Sequence, residues 1–267
     1  MSGSAAAAVD GSSAQSRRYR PLPAWLVPPG DFLFAHRNWV FPVVFLALVG
    51  LVPPVPFGGT LESDRALDAV GVAIALAGQF LRAAVIGLAY IRRGGLDKKV
   101  YADSLVVEGF FAHSRNPLYV GNYLAMVGLF VVHNGPLSYL VGIPFFTFAY
   151  LAITAAEERF LRGKFGADYE AYCARVPRFR VRLAGLGRTL RSMEFDWRRL
   201  VRKEYGSTFS CATAILGMLL WEAWRIGGQP AFAARLRVLL PIWAALLALY
   251  GFARWLKKSG RLGRGQQ

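Results

Sequence analysis

The chain has 267 residues, 55% of them hydrophobic, a mean hydropathy of +0.34 and a formal net charge of +16. Apolar runs approaching the ~20 residues that cross a bilayer exclude an ordinary soluble domain. The basic residues gather in particular inter-span loops and at the two ends, which fits anionic lipid head groups and excludes a nucleic-acid partner.

Residues 1–20 are rich in Ala, Ser and Gly and lack the apolar core of a cleavable signal peptide, so 1–30 reads as a disordered cytosolic tail. A first span is predicted from about Asn38 to Phe57, broken at its far end by Pro53, Pro54 and Pro56. The second, from about Ala69 to Tyr90, carries Gln79 and Arg82 on one face. A charge inside a span costs ~2.5–3.5 kcal/mol at mid-bilayer on insertion scales, so Arg82 is expected to face a polar pocket or a structural ion pair. A polar stretch, 92–116, follows with Gly94-Gly95 and an extended-looking "DSLVVEGFF".

The third span starts at Pro117, whose missing N–H suits a first helical turn, and ends near Val132 before the turn His133-Asn-Gly-Pro136. Its Gly121, Ala125 and Gly128 share a face, as expected for tight packing against span four. The start of this helix, "RNPLYVG", points free N–H groups and a positive dipole end at the interface, where a carboxylate, a phosphate or ribose hydroxyls bind readily.

Span four runs from Leu137 to about Ala155, and two adjacent acids, Glu157 and Glu158, follow at the membrane surface. They either pair with local arginines or hold a cationic or hydroxyl-bearing ligand. Beyond them Leu161, Phe165, Tyr169, Tyr172 and Val176 form one helical stripe, which Gly163 and Gly166 are expected to break so that its aromatic half folds back as a lid. After a basic segment, 156–206, spans five and six are predicted at about Thr208–Trp221 and Val238–Trp255. Both termini and the basic loops then lie on the cytosolic side. Arg225, Arg235 and Arg237 in the intervening loop fit that topology poorly. Cys173 and Cys211 are isolated, and neither a disulfide framework nor a metal site is expected.

"RNPLYVGN" followed by "EERFLRGKFGADYEAYCARVPRF" resembles the isoprenylcysteine carboxyl methyltransferase and phospholipid methyltransferase superfamily, with "GQFLRAAVIGLAY" similar to that family's Leu-Arg helix. The likeness covers about Gln79 to Phe179, and the family's histidine is Asn116 here. The spans make an all-α polytopic bundle of about six transmembrane helices, in the order tail (1–30), core (31–183), and linker with two additional spans and a basic tail (184–267) that lie outside the likeness, and the resemblance adds a cytosolic-side cofactor pocket. The resemblance also implies S-adenosylmethionine as donor and a lipid or isoprenoid acceptor, carboxylate O-methylation being favoured over amine N-methylation.

On this resemblance Arg82, Asn116 and Glu158 take catalytic positions. Arg115, Asn116, Pro117 and Tyr119, with Gly121, Glu157, Glu158 and Tyr169, take cofactor-binding ones. A nicotinamide-dependent membrane sterol-reductase-type enzyme and a non-catalytic scaffold are the alternatives.

Overall fold

The computed structural model describes residues 19–59, 61–88 and 104–262. The Gly94-Gly95 pair, the last two residues of span two and residues 1–18 of the tail lie outside the described residues. Helix α1 (Val27–Leu51) begins eleven residues before the predicted span, entered through a short 3₁₀ turn, Ala24–Leu26. Pro28 and Pro29 occupy its first turn, where proline is tolerated, and Leu26 and Val27 are buried, so the tail ends earlier than residue 30. Helix α2 spans Leu61–Leu88 and α3 Pro117–His133. A π-helical turn, Ser138–Gly142, leads into α4 (Ile143–Arg175). A short α5 (Leu186–Arg191) precedes α6 (Trp197–Lys258).

No strand occurs among the described residues, and "DSLVVEGFF" ends in a 3₁₀ turn at Gly109–Ala112. Four helices are long and apolar enough to cross a bilayer, and α3 is a shorter apolar helix of 17 residues. At 62 residues α6 would run ~90 Å if straight. Gly228 (φ +64°) breaks it, and Pro230 follows at once. The arms return on each other through Tyr205 and Phe209 against Tyr250 and through Trp243 Nε1 donating to Thr213 at 3.2 Å. Six apolar passes result, in a helical bundle that fits a membrane protein.

The helices pair as α1 with α4 and α2 with α3. Gly121, Ala125 and Gly128 face α2, not α4 as expected. The reason is a matching row on α2: Gly71, Ala75 and Gly78. A Cβ on Gly128 would sit 2.4 Å from the Gly71 carbonyl oxygen, and one on Gly78 would sit 2.5 Å from the Gly121 carbonyl oxygen. Only two rows of small residues, run antiparallel, allow backbones so close. On the other pair, a Cβ at Gly30 would meet the Ala152 carbonyl at 2.0 Å. A core of Phe45, Phe130, Phe146 and Tyr150, with Ile215 and Met218 from α6, joins the pairs. Opposite the site, His133 bonds Ser138 at 2.8 Å and the Val52 carbonyl at 3.1 Å, fastening the far-side turns.

Candidate active site

Three polar groups meet at one end of the bundle. The outermost is built on Glu158, which is 3% exposed. Its carboxylate accepts from Arg115 Nη1 at 2.8 Å, from Arg178 Nε at 2.8 Å and Nη2 at 2.9 Å, and from the Tyr19 hydroxyl at 3.2 Å. Both oxygens are therefore saturated, and the local arginines take this acid. Burial, with the Glu158 carboxylate beside it, pushes the Tyr19 hydroxyl up to about 12. Burial pulls the Arg178 guanidinium down, but its hydrogen bonds to Glu158 and that carboxylate's charge outweigh this and raise it.

Residues 113–116 are stitched to 177–182. Arg115 N–H donates to the Pro177 carbonyl at 3.0 Å and Arg182 N–H to the His113 carbonyl at 2.9 Å. Asn116 Nδ2 donates to the Arg178 carbonyl at 3.0 Å. His113 Nδ1 lies 2.7 Å from the Arg182 carbonyl and Nε2 lies 2.9 Å from Thr189 Oγ1. A carbonyl only accepts, so the partners assign the proton to Nδ1. Asn116 spends its amide on this loop and does not cap α3, so the N–H groups at the helix start gain no side-chain cap. Two arginines against one carboxylate leave that end positive, in the same sense as the helix dipole.

The aromatic stripe assembles as expected. Tyr169, Tyr172, Cys173 and Val176 pack with Leu161, Phe165 and Tyr19. Tyr172 donates to the Phe111 carbonyl at 2.8 Å, and Arg115 Nη1 reaches Cys173 Sγ at 3.0 Å. Of the two glycines expected to break the helix, only Gly166 does so, at φ +50°. Gly163 is ordinary helix because nothing at its position turns the chain.

The second group is Glu157. It accepts from the Tyr119 hydroxyl at 2.5 Å, and that hydroxyl accepts from Arg37 Nη1 of α1 at 3.1 Å. Glu157 is only half-buried. The third group lies deeper. Arg82, 5% exposed, forks onto Glu204 of α6 with Nε–Oε2 at 3.1 Å, Nη2–Oε1 at 2.9 Å and Nη2–Oε2 at 2.7 Å. Its Nη1 donates to Asn122 Oδ1. Gly121 leaves room for the Arg82 stem, since a Cβ there would lie 2.7 Å from Arg82 Cγ. One turn away Gln79 Nε2 donates to Thr208 at 2.9 Å.

The fold thus joins Arg115, Asn116, Pro117, Glu158 and Tyr169 in one cluster and Tyr119 with Glu157 in a second. Arg82 stands in a third, as an ion pair. Tyr150 links the last two, with its ring 5.5 Å from that of Tyr119 and its hydroxyl reaching Asn122. Glu204, Arg178, Arg37 and Tyr19 escaped the sequence reading. Glu204 and Thr208 lie four apart, one helical turn, opposite Gln79 and Arg82 three apart, and that pairing of faces was the available signal.

The donor set also fits a zwitterionic ligand. Arg115 Nε is buried with no hydrogen-bond partner among the described residues, facing a need for an acceptor. Burial pushes the Glu157 carboxyl up to about 7, so near neutral pH it can pair with a cation or take up a proton, as saturated Glu158 does not.

Residues 69–168 match the model of the phospholipid methyltransferase family, a stretch that runs from Ala69 within α2 through α3 and along α4, past Glu157 and Glu158, to Asp168. No curated protein and no solved structure matches the chain.

Proposed function

We propose, from a chain whose segment 69–168 matches the phospholipid methyltransferase family model and so suggests a membrane methyltransferase acting on lipids, that methyl transfer runs from S-adenosylmethionine to a lipid head group at the α3–α4 end of the bundle. The observation that carries the reading is the positive, uncapped start of α3 set beside half-open Glu157. Arg115, through its unpartnered Nε, and the first turn of α3 suit the donor's carboxylate. Glu157 suits its ammonium. The aromatic cluster around Tyr169 excludes water from that end. The donor supplies an electrophilic methyl on a sulfonium, and the protein's part is alignment, which can contribute ~7–11 kcal/mol as effective molarity.

In this reading Glu158 holds Arg115 and Arg178 in place, and Arg82 holds Asn122, so both position rather than react. Asn116 does not titrate, which favours an acceptor already ionised at neutral pH, a carboxylate. A specific observation favours the second reading, an amine: Glu157 keeps an oxygen clear of arginine and can take the proton an ammonium must lose. Basic residues concentrated at the site's end support a cytosolic orientation for it, the side on which the donor is made.

Membranes holding the protein are incubated with methyl-labelled donor, and the lipids are extracted and treated with mild base. Label in the lipid fraction is expected. Release as methanol identifies a methyl ester, and retention identifies N-methylation. A lipid fraction no more labelled than that of membranes lacking the protein removes the function.

A further inference from the structure

At the opposite end of α2, a second charged group remains outside this chemistry. Asp64, Asp68 and Glu222 are 3%, 6% and 2% exposed, and Arg235 of the second arm of α6 turns inward to them. Arg235 Nη1 lies 3.3 Å from Glu222 Oε2, 3.6 Å from Asp68 Oδ2 and 3.0 Å from the Leu219 carbonyl. Asp64 Oδ1 accepts from the Phe57 N–H at 2.9 Å, and Glu222 contacts both Asp64 and Asp68. Asp68 Oδ1 is buried with no hydrogen-bond partner among the described residues.

Asp68 and Arg235 also line a cavity of about 590 Å³ between α2 and the two arms of α6, with Arg65 at its polar edge. Alanines at 69, 223, 231 and 234 make the room, and the rest of the wall is aliphatic. That size suits a small amphiphile. Of these carboxyl oxygens, buried Asp68 Oδ1 is the one left without a partner among the described residues, so the floor calls for a hydrogen-bond donor. An alcohol head could donate one neutral hydrogen bond to Asp68 Oδ1, a protonated amine a stronger charge-assisted one, and a carboxylate head none, leaving that oxygen unpaired in a dry place.

We propose that this cavity binds a cationic amphiphile, with its protonated amine on Asp68 and its hydrocarbon tail along the alanine wall. The site is separate from the methyl-transfer end, because Asp68 lies 14 residues from Arg82 on one helix, roughly 21 Å along its axis.

The test uses the full chain in phosphatidylcholine nanodiscs, titrated separately with dodecylamine, dodecanol and dodecanoate, and native mass spectrometry of the ejected protein counts adducts. The amine is expected to saturate one site at a concentration at least tenfold below the alcohol, with dodecanoate weakest. Asp68→Asn should erase the preference for amine over alcohol. Ala234→Phe, which fills the wall, should lower amine and alcohol adducts together. Equal binding of amine and alcohol by the unmodified protein, an undiminished preference in Asp68→Asn, or undiminished amine adducts in Ala234→Phe each overturns the proposal. Donor binding plays no part in these readings, so failure here is distinct from failure of the methyltransferase reading.

Discussion

Glu157 and Glu158 are chain neighbours, yet a turn of ~100° between successive helical residues sends them to different partners. Glu158 closes a buried network with two arginines, so Glu158→Gln strands both guanidinium groups. Such a loss costs about 3–5 kcal/mol and lowers the melting temperature. Glu157→Gln keeps a hydrogen bond from Tyr119 and should melt within a few degrees of wild type while methyl transfer falls at least tenfold. Thermal melts run beside the labelled-donor assay separate the two, and the reverse pattern would exchange their roles. Tyr19 belongs to the same network. Its hydroxyl, raised to about 12 from an unfolded value of about 10, contributes stability that is whole below pH 10 and is lost as pH rises through 12. An ultraviolet titration of wild type minus Tyr19→Phe should show one tyrosine ionising about two pH units above the exposed ones; a difference curve centred at pH 10 would place Tyr19 in solvent.

Two of the helices depend on glycine for opposite reasons. Gly128 supplies close approach, and its substitution by Ala drives a methyl group into the Gly71 carbonyl, separating α2 from α3. Overpacking of this kind costs about 1–3 kcal/mol. Gly50→Ala meets nothing within 4 Å and should be neutral or slightly stabilising. Gly166 supplies a positive φ, and Gly166→Ala strains the break by about 1–3 kcal/mol and misplaces the stripe from Tyr169 onward. Gly163→Ala, in regular helix, should instead stabilise by about 0.5–1 kcal/mol. Melting curves of the four variants in one detergent check all of this, and a stabilised Gly166→Ala would contradict the break.

The C-terminal hairpin is where the molecule as a whole departs from its sequence-level appearance. The hairpin lies beyond the likeness, which ends near Phe179, yet it supplies partners to the core: truncation after Lys203 leaves Arg82 buried without the Glu204 carboxylate and Gln79 without Thr208. Such a truncation is expected to abolish donor binding in calorimetry together with the folded state. Glu204→Ala in the full chain should cost about 3–5 kcal/mol, and Glu204→Gln should cost less. A truncated chain with wild-type melting and donor affinity would return the hairpin to an accessory role.

The sequence by itself determined the helical class, the passes, the start of α3 at Pro117 and the stripe from Leu161 to Val176. These depend on local quantities: runs of apolar side chains, proline's missing N–H and a period of 3.6. It placed Arg115, Asn116, Glu157 and Glu158 near one another because they flank a single short hairpin. The misfit of Arg235 in a loop between spans was legible as a misfit only, since its partners Asp68 and Glu222 lie far off in sequence. Which acid is saturated and which stays half-open, which helix receives the small-residue face of α3, and which carboxylate neutralises Arg82 were decided by tertiary structure alone. A buried charge or a glycine face states that a partner is needed, but any helix of the bundle can offer one until packing selects it.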